Sequence, residues 1–182
     1  MLLAAAVAAQ AEPEIKIGSR GGVISIQIGL QIPADAATAW QVLTDYDHLA
    51  EFLPNLRASR VISAPGEPLQ IEQLGETGFL FFSFSIDVVL EIAESPPRTL
   101  GFRAIRGNMR RMRGEWRIMP ADAGIRMEYE SEMEPDFWVP PLIGPAVIRR
   151  DVAGQVAGLV REIMRRQALA QPQPKPIPKL DK

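Results

Sequence analysis

The stretch GGVISIQIGLQIPA (residues 21–34) alternates apolar and polar side chains, and it is the first of seven such segments. Its apolar positions share one face, which is the period of a strand with one buried side: Ile24, Ile26, Ile28, Leu30 and Ile32. The other segments lie within residues 58–133 and are separated by turns such as PGEP and SPPR. Because strands joined by short turns pair with their chain neighbours, the sequence predicts one antiparallel sheet with one apolar face.

Helical segments accompany these strands. Asp35 can cap a short helix directly after the first strand, and a second short helical turn covers His48 to Phe52. A long helix is expected at residues 146–168, where apolar side chains recur at helical spacing: Ile148, Val152, Val156, Leu159 and Ile163. A sheet with one apolar face needs a cover, and the long helix can supply it. The predicted fold class is therefore α+β.

The two ends of the chain are predicted to lie outside the folded domain, which we place at residues 21–168. Residues 2–9 are apolar, and Ala9-Gln10-Ala11 fits the small-x-small pattern that signal peptidase cleaves. Residues 1–11 are therefore interpreted as a signal peptide cut after Ala11, which predicts a periplasmic or secreted protein. An alanine-rich disordered tail is the alternative. Residues 12–20 are expected to be a lead, and the proline-rich residues 169–182 a disordered tail.

Composition excludes several kinds of site. The chain of 182 residues has no cysteine and one histidine, so disulfides, thiol nucleophiles and thiolate metal sites are excluded. No calcium-loop spacing, nucleophile-elbow motif or phosphate-binding glycine loop occurs, and we expect no metal and no other cofactor. The formal net charge of −2 gives no general attraction for nucleic acid.

One segment identifies a family. Residues 32–62, IPADAATAWQVLTDYDHLAEFLPNLRASRVI, resemble the START-like (SRPBCC) superfamily, and within it the polyketide cyclase and coenzyme-Q-binding branch. Members typically end the first strand in I-P-A, continue with W-x-V-L-x-D-Y and enter the second strand through F-L-P. The matching residues here are Ile32-Pro33-Ala34, Trp40, Val42-Leu43, Asp45-Tyr46 and Phe52-Leu53-Pro54. The resemblance covers residues 21–166.

The resemblance implies a helix-grip fold. In this fold a curved seven-stranded antiparallel sheet wraps around a long C-terminal helix, with two short helices after the first strand. It also implies an apolar tunnel between sheet and helix. We accordingly expect the protein to bind or transport a hydrophobic small molecule, such as a lipid, isoprenoid or quinone, without turnover.

The candidate binding residues follow from the predicted inward face of the sheet and the apolar face of the helix. They are Phe82, Phe84, Phe102, Arg103, Trp116, Met127, Tyr129, Met133, Val152 and Val156. The same inward face, which also includes Met112, could instead be a filled core. Two further functions therefore stay open. One is an aromatase or cyclase acting on a polyketide-like or aromatic substrate, with Tyr129, His48 or Arg103 as polar groups, and the other is a filled domain that acts as an interaction module.

A gate for the ligand is predicted in two segments, residues 45–54 and 135–145. Its candidate residues are Tyr46, Phe52, Phe137, Trp138 and Leu142. The second segment, PDFWVPPLIGP, is unusually apolar for a loop, so transient membrane contact is a further expectation, with Arg149 and Arg150 near anionic headgroups. The alternative is that Trp138 and Leu142 cap the core.

Charged residues on the strands have a simpler interpretation. Arg111, Arg113 and Arg117 share a face, and the neighbouring strand carries Glu128, Glu130 and Glu132. Across a hairpin these rows meet as opposite charges, which predicts a solvated ladder of ion pairs and no nucleic-acid site. Arg103 is left as a candidate for a ligand carboxylate or phosphate at the tunnel mouth.

The single histidine, His48, lies in the acidic stretch DYDHLAEFLPNL. Helical spacing places it beside Phe52 and near Glu51, where a side chain faces water or the rim of the tunnel. We therefore interpret His48 as a structural residue of a corner that can also serve as a gate.

Overall fold

The computed structural model of the protein describes residues 12–79, 82–137 and 144–171, without the side chains of residues 77–83, 144 and 145. Its strands are β1 (Glu14–Arg20), β2 (Val23–Ile32), β3 (Leu56–Val61), β4 (Gln70–Phe79), β5 (Phe82–Ser95), β6 (Thr99–Gly107), β7 (Met109–Ala121) and β8 (Gly124–Pro135). Its α-helices are α1 (Ala36–Leu43), α2 (Leu49–Phe52) and α3 (Gly144–Ala170), with a 3₁₀ turn at Tyr46–His48.

The strands form one antiparallel sheet in the order β1-β2-β8-β7-β6-β5-β4-β3. From β3 to β8 each strand pairs with its chain neighbour, and β8 closes onto β2 with Ile24 opposite Met133 and Ile32 opposite Ile125. Helix α3 packs against β1 near one edge of the sheet and against β4 near the other. The predicted α+β class and helix-grip arrangement are confirmed.

The number of strands differs from the prediction. Residues 14–20, part of the predicted lead outside the folded domain, form β1 and pair along β2 from Glu14 opposite Gly29 to Arg20 opposite Val23. Gly21 and Gly22 make the connecting turn with φ of 60° and 85°, values that suit glycine. Only Ile15 and Ile17 alternate with polar residues in β1, a pattern too short to predict a strand. The sheet therefore has eight strands and not seven.

Two predicted boundaries also move. The sequence pattern FLFFSFSIDVVLEIAE predicts one long strand over residues 79–94, the fourth of the seven, but Phe79 ends β4 and pairs with Phe82 of β5. Helix α3 continues to Ala170, two residues into the predicted tail. The tail residues 172–182 and the predicted signal peptide lie outside the described part of the chain.

The core lies between the inward face of the sheet and the helices. The alternation predicted for β2 is confirmed, since Ile24, Ile26, Ile28, Leu30 and Ile32 are all buried. Val156, Leu159 and Ile163 of α3 are buried against the same cluster. In α1 the predicted cap is present, because the Asp35 carboxylate accepts a 2.6 Å hydrogen bond from the Thr38 backbone N–H. No helix among the described residues is long and apolar enough to cross a membrane.

Candidate functional site

A cavity of about 340 Å³ lies between the sheet and α3. Alternate side chains of the strands form one wall, because in an antiparallel sheet they point to the same face. Helix α3 contributes the opposite wall with Val152, Val156 and Leu159. Most of the remaining wall is also apolar, and it includes Ile24, Ile26, Ile28, Ile71, Ile86, Val88, Leu90, Met109, Met112 and Met133. Such a wall can remove an apolar ligand from water, which contributes roughly 25 cal/mol per Å² of apolar surface.

Three aromatic rings form one part of the wall. Trp116 and Tyr129 are cross-strand partners on β7 and β8, and their ring centroids are 4.7 Å apart. Phe102 of β6 stacks on Tyr129 with centroids 6.1 Å apart and planes inclined by 16°. Gly114 leaves room for this arrangement, since a Cβ at that position would lie 2.6 Å from the Phe102 ring. The cluster gives the cavity a rigid aromatic surface.

Tyr129 carries the phenol of this cluster. Its burial raises its pKa, and the neighbouring Ser131 hydroxyl offsets part of that shift. The Tyr129 side chain is therefore neutral at physiological pH. Ser131 lies two residues away on the same inward face of β8, and its Oγ makes no hydrogen bond of ordinary geometry within the described residues.

The second tyrosine of the cavity wall, Tyr46, has a different environment. Its hydroxyl donates a 2.5 Å hydrogen bond to Glu94 at the end of β5. Burial, reinforced by this carboxylate, raises the pKa of Tyr46. Its ring faces the cavity, but its hydroxyl is already used for a structural contact.

Polar side chains cluster where the cavity opens. Asn55 and Gln155 are exposed and line its rim, together with the half-buried Glu76. Asp151 of α3 also lines the cavity, and it pairs with Arg150 at 3.0 Å. Glu76 forms an ion pair with Arg57. Both arginine side chains are mostly exposed, so the carboxylates line the rim while their partner cations point towards solvent.

A network of charges fastens the segment 45–54 to α3. The Asp45 carboxylate lies 2.6 Å from Arg166 of the helix and 2.6 Å from His48 Nδ1. Burial alone would raise the pKa of Asp45, but the bonds from His48 and Arg166 outweigh it and lower this pKa. Hydrogen bonds from Arg165 and then Arg166 hold the pKa of Glu162 at about 2. Asp45 is thus the link between the corner and the helix.

Close backbone contact reinforces this attachment. A Cβ on Gly158 of α3 would lie 2.2 Å from the Phe52 carbonyl oxygen, so only glycine fits there without displacement. The Asp47 carboxylate also accepts a 2.8 Å hydrogen bond from the Val61 backbone N–H in β3. The corner is therefore held by both the helix and the sheet.

Most residues of the cavity wall lie within the part of the chain that matches a known family. Residues 32–160, more than half of the chain, match the family described as polyketide cyclase / dehydrase and lipid transport. The chain belongs to this polyketide cyclase and lipid transport family. No curated protein matches the sequence at a significant level.

Solved structures similar to this polyketide cyclase and lipid transport family member include proteins of different described roles. The Zhui aromatase/cyclase of a Streptomyces species has a TM-score of 0.63 at 16% identity, with 79% of this chain and 95% of that chain covered. A STAR-related lipid transfer protein from Xanthomonas axonopodis has a TM-score of 0.60 at 12% identity, with 85% of this chain and 99% of that chain covered. A START superfamily protein from Mycobacterium smegmatis has a TM-score of 0.59 at 13% identity, with 83% of this chain and 100% of that chain covered. At such identities the similarity shows the shared fold.

Most of the predicted binding and gate residues whose side chains are described lie in the cavity wall of this family member. They are Phe84, Phe102, Trp116, Tyr129, Met133, Val152 and Val156 among the binding residues, and Tyr46 and Phe137 of the gate. Phe137 stacks on Phe84 with ring centroids 5.3 Å apart, which places the start of the second gate segment against the wall. The side chains of Phe82, Trp138 and Leu142 lie outside the described part.

Three predicted residues lie elsewhere. Met127 is fully buried between Leu30 and Ile118 on neighbouring strands, where the inward face is filled core. Arg103 alternates with Phe102, so it points away from the cavity and pairs with Glu91 at 2.7 Å. Phe52 packs against the core beneath the Arg166 guanidinium, 5.9 Å from its ring centroid. None of the three lines the cavity.

The predicted ladder of ion pairs is present in part on the outward face, where Glu128 pairs with Arg126 of its own strand at 2.9 Å and not with an arginine of β7. Arg113 pairs with Glu132 at 2.8 Å, and Arg117 pairs with Glu115 at 2.7 Å and Glu130 at 3.2 Å. These side chains are largely exposed, so each pair contributes at most about 1 kcal/mol. Within the described residues, no group of three histidine, aspartate or glutamate side chains could hold a metal ion.

Sequence reasoning missed the polar rim and much of the cavity floor. Asp151 and Gln155 are one helical turn apart on α3, and both line the cavity. The signal in the sequence was that Asp151 and Gln155 directly precede the apolar Val152 and Val156, so they lie at the edge of the apolar face of α3. Ile24, Ile26 and Ile28 were predicted as core, and alternation alone does not distinguish packed from cavity-lining positions.

Proposed function

We propose that the protein binds and carries one hydrophobic small molecule in the cavity between the sheet and α3. The observation that carries this proposal is the cavity itself, about 340 Å³ in volume, with an apolar wall and a polar rim. A filled domain acting only as an interaction module would have no such space. Membership of a family described by both cyclase and lipid transport activity supports the proposal.

The size of the cavity favours a compact ligand. Ligand pockets usually enclose roughly 300–1,000 Å³. A cavity of about 340 Å³ lies at the lower end of that range, which suits an isoprenoid segment, a quinone ring or a single chain of a lipid better than a whole two-chain lipid. Methionines in the wall can adapt to the shape of the ligand, because their side chains are flexible and polarizable.

Binding without turnover is the form of this function that the polar groups favour. Of the three residues considered for catalysis, His48 is exposed at the corner and Arg103 points outward. Tyr129 alone lines the cavity, and because its pKa is raised it stays protonated and is not available as a general base at neutral pH. An aromatase or cyclase remains the second candidate, because a neutral phenol among aromatic rings could orient a reactive polyketide chain.

The route of the ligand is part of the proposal. The segment 45–54 and the loop after β8 form the gate, with Tyr46 and Phe137 already in the cavity wall. Export is proposed from the apolar run and cleavage pattern of residues 1–11, and transient membrane contact from the apolar composition of residues 135–145. N-terminal sequencing of protein isolated from its natural host, which should begin at Glu12 after cleavage, tests the export proposal.

Native mass spectrometry of protein purified from its natural host tests the proposed function. We expect a complex heavier than the chain that loses its extra mass on extraction with organic solvent. Identification of the extracted molecule as an apolar compound would support a carrier. Conversion of an added polyketide-like substrate by the wild type, and not by Tyr129→Phe, would favour the cyclase instead. Protein that takes up no apolar compound from the host extract would contradict both.

A further inference from the structure

The arrangement of Tyr129 and Ser131 points to a polar anchor within the apolar cavity. Ser131 is only 6% exposed, and its Oγ makes no hydrogen bond of ordinary geometry in the described part of the chain, yet its hydroxyl lies close enough to Tyr129 to lower the pKa of that phenol. An unsatisfied buried polar group costs about 1–3 kcal/mol, so it requires an explanation. Tyr129 lies beside it and lines the cavity between Phe102 and Trp116.

The two hydroxyls can form a short donor chain. A serine hydroxyl donates one hydrogen bond and can accept others, and so does a neutral phenol. If the Ser131 hydroxyl donates to the Tyr129 oxygen, the Tyr129 proton is directed to a third group. Such a chain strengthens the outer hydrogen bond, because each bond polarises the next. The third group must be an acceptor that reaches the aromatic cluster.

The charges of the cavity wall restrict this acceptor. Within the described residues the wall contains the carboxylates of Glu76 and Asp151, but no lysine, arginine or histidine. A buried carboxylate or phosphate of a ligand would therefore lack a cation in the wall, which makes its burial unfavourable. An uncharged oxygen carries no such cost.

We propose that Tyr129, positioned by Ser131, donates a hydrogen bond to an uncharged carbonyl-type oxygen of a ring-containing apolar ligand, such as a quinone or aromatic ketone. Phe102 and Trp116 contact the ring that bears this oxygen. The inference rests on the proposed function and specifies its ligand class. Tyr129 is the specificity-determining residue, and Ser131 acts through it as a positioning residue.

Two probes with the same methylated two-ring skeleton, one with carbonyl oxygens and one without, separate the effect of the anchor from that of the cavity. We would titrate 2-methyl-1,4-naphthoquinone and 2-methylnaphthalene into the protein by calorimetry, since the chain has no cysteine with which the quinone can react. The variants are Tyr129→Phe and Ser131→Ala. Ser59→Ala is the matched control, because Ser59 is also 6% exposed and, like Ser131, does not line the cavity. It lies on β3, five strands from β8 in the sheet, so it cannot act through Tyr129.

The hydrogen bond predicts a change in the ratio of the two affinities. Tyr129→Phe should weaken binding of the naphthoquinone about three- to tenfold and leave the hydrocarbon unchanged. Ser131→Ala should change the ratio in the same direction by a smaller factor, and Ser59→Ala should leave it at the wild-type value. A purely structural role would weaken both probes together.

The outcomes separate the two proposals. Binding of both probes with the same affinity ratio in the wild type and in Tyr129→Phe would overturn the anchor and leave the proposed function standing. Failure of the wild type to bind either probe would overturn the proposed function and the anchor together. A change of ratio in Tyr129→Phe with none in Ser131→Ala would remove Ser131 from the proposal.

Discussion

The guanidinium of Arg166, near the end of α3, lies 2.6 Å from the carboxylate of Asp45, which is 121 positions earlier in the chain. Arg166 also bonds Glu162, and its side chain is only 25% exposed. This contact joins the C-terminal helix to the corner between α1 and α2, whose residues form one side of the proposed gate.

Removing the guanidinium should destabilise the fold. Arg166→Leu leaves Asp45 without its helix partner, and we expect the free energy of unfolding to fall by about 1–3 kcal/mol. Arg161→Leu is the control, because Arg161 is exposed on the same helix, and it should change stability by less than about 0.5 kcal/mol. Urea denaturation followed by circular dichroism measures both. Equal effects of the two substitutions would show that the contact does not stabilise the fold.

His48 should make stability depend on pH in a defined direction. The hydrogen bond to Asp45 raises the pKa of His48 above its ordinary value of 6.5, with smaller contributions from Glu51 and Asp47. A raised pKa in the folded state means that protonation stabilises the fold. This contribution is complete below pH 6.5 and disappears as the pH rises through the folded pKa.

Thermal melts of the wild type and His48→Gln over this range provide the test. The wild type should be the more stable at the acidic end, and the two melting temperatures should converge at the alkaline end. Because the chain has one histidine, a single imidazole resonance in its NMR spectrum reports the pKa directly. A folded pKa at or below that of an unfolded control peptide would contradict the assignment.

Gly158 should tolerate no side chain. In Gly158→Ala the added Cβ would lie 2.2 Å from the Phe52 carbonyl oxygen, and we expect a loss of about 1–3 kcal/mol despite the better helix propensity of alanine. In Gly154→Ala the nearest atom, on Pro54, is 3.5 Å away, so the propensity gain of up to about 1 kcal/mol should appear. Chemical denaturation should show that Gly158→Ala lowers the free energy of unfolding and that Gly154→Ala raises it. Stabilisation by both would mean that the corner moves freely relative to α3.

The sequence predicts the fold better than the site. The fold depends on local patterns of apolar residues, whereas the extent of the cavity depends on how distant elements pack together. Alternation of apolar residues determines which face of β2 is buried, and the W-x-V-L-x-D-Y motif, residues 40–46, lies on the end of α1 and the start of the 3₁₀ turn. The added strand β1 was missed because its alternation covers only Ile15 and Ile17 before the glycine turn. Its pairing with β2 depends on a sheet edge that local sequence does not show.

The extent of the cavity could be predicted only in part. Met127 and Tyr129 are neighbours on one face of β8, yet Met127 is packed and Tyr129 lines the cavity. The difference depends on where α3 crosses the sheet, and this is set by contacts such as Gly158 with Phe52. Arg103 was predicted to bind the ligand for a different reason. It directly follows the inward-facing Phe102 on β6, so strand alternation alone already places its side chain on the outward face.

The most direct test of the central claim is whether filling the cavity abolishes binding of an apolar probe. Val152→Phe adds volume inside the cavity, whereas Ala153→Phe adds the same ring on the exposed side of α3. Titration calorimetry with 2-methylnaphthalene should show one site in the wild type and in Ala153→Phe, with the negative heat-capacity change of apolar burial. Val152→Phe, while folded, should bind at least about tenfold more weakly, a loss of about 1.4 kcal/mol. Equal affinity in all three proteins, or no saturable binding by the wild type, would contradict the account.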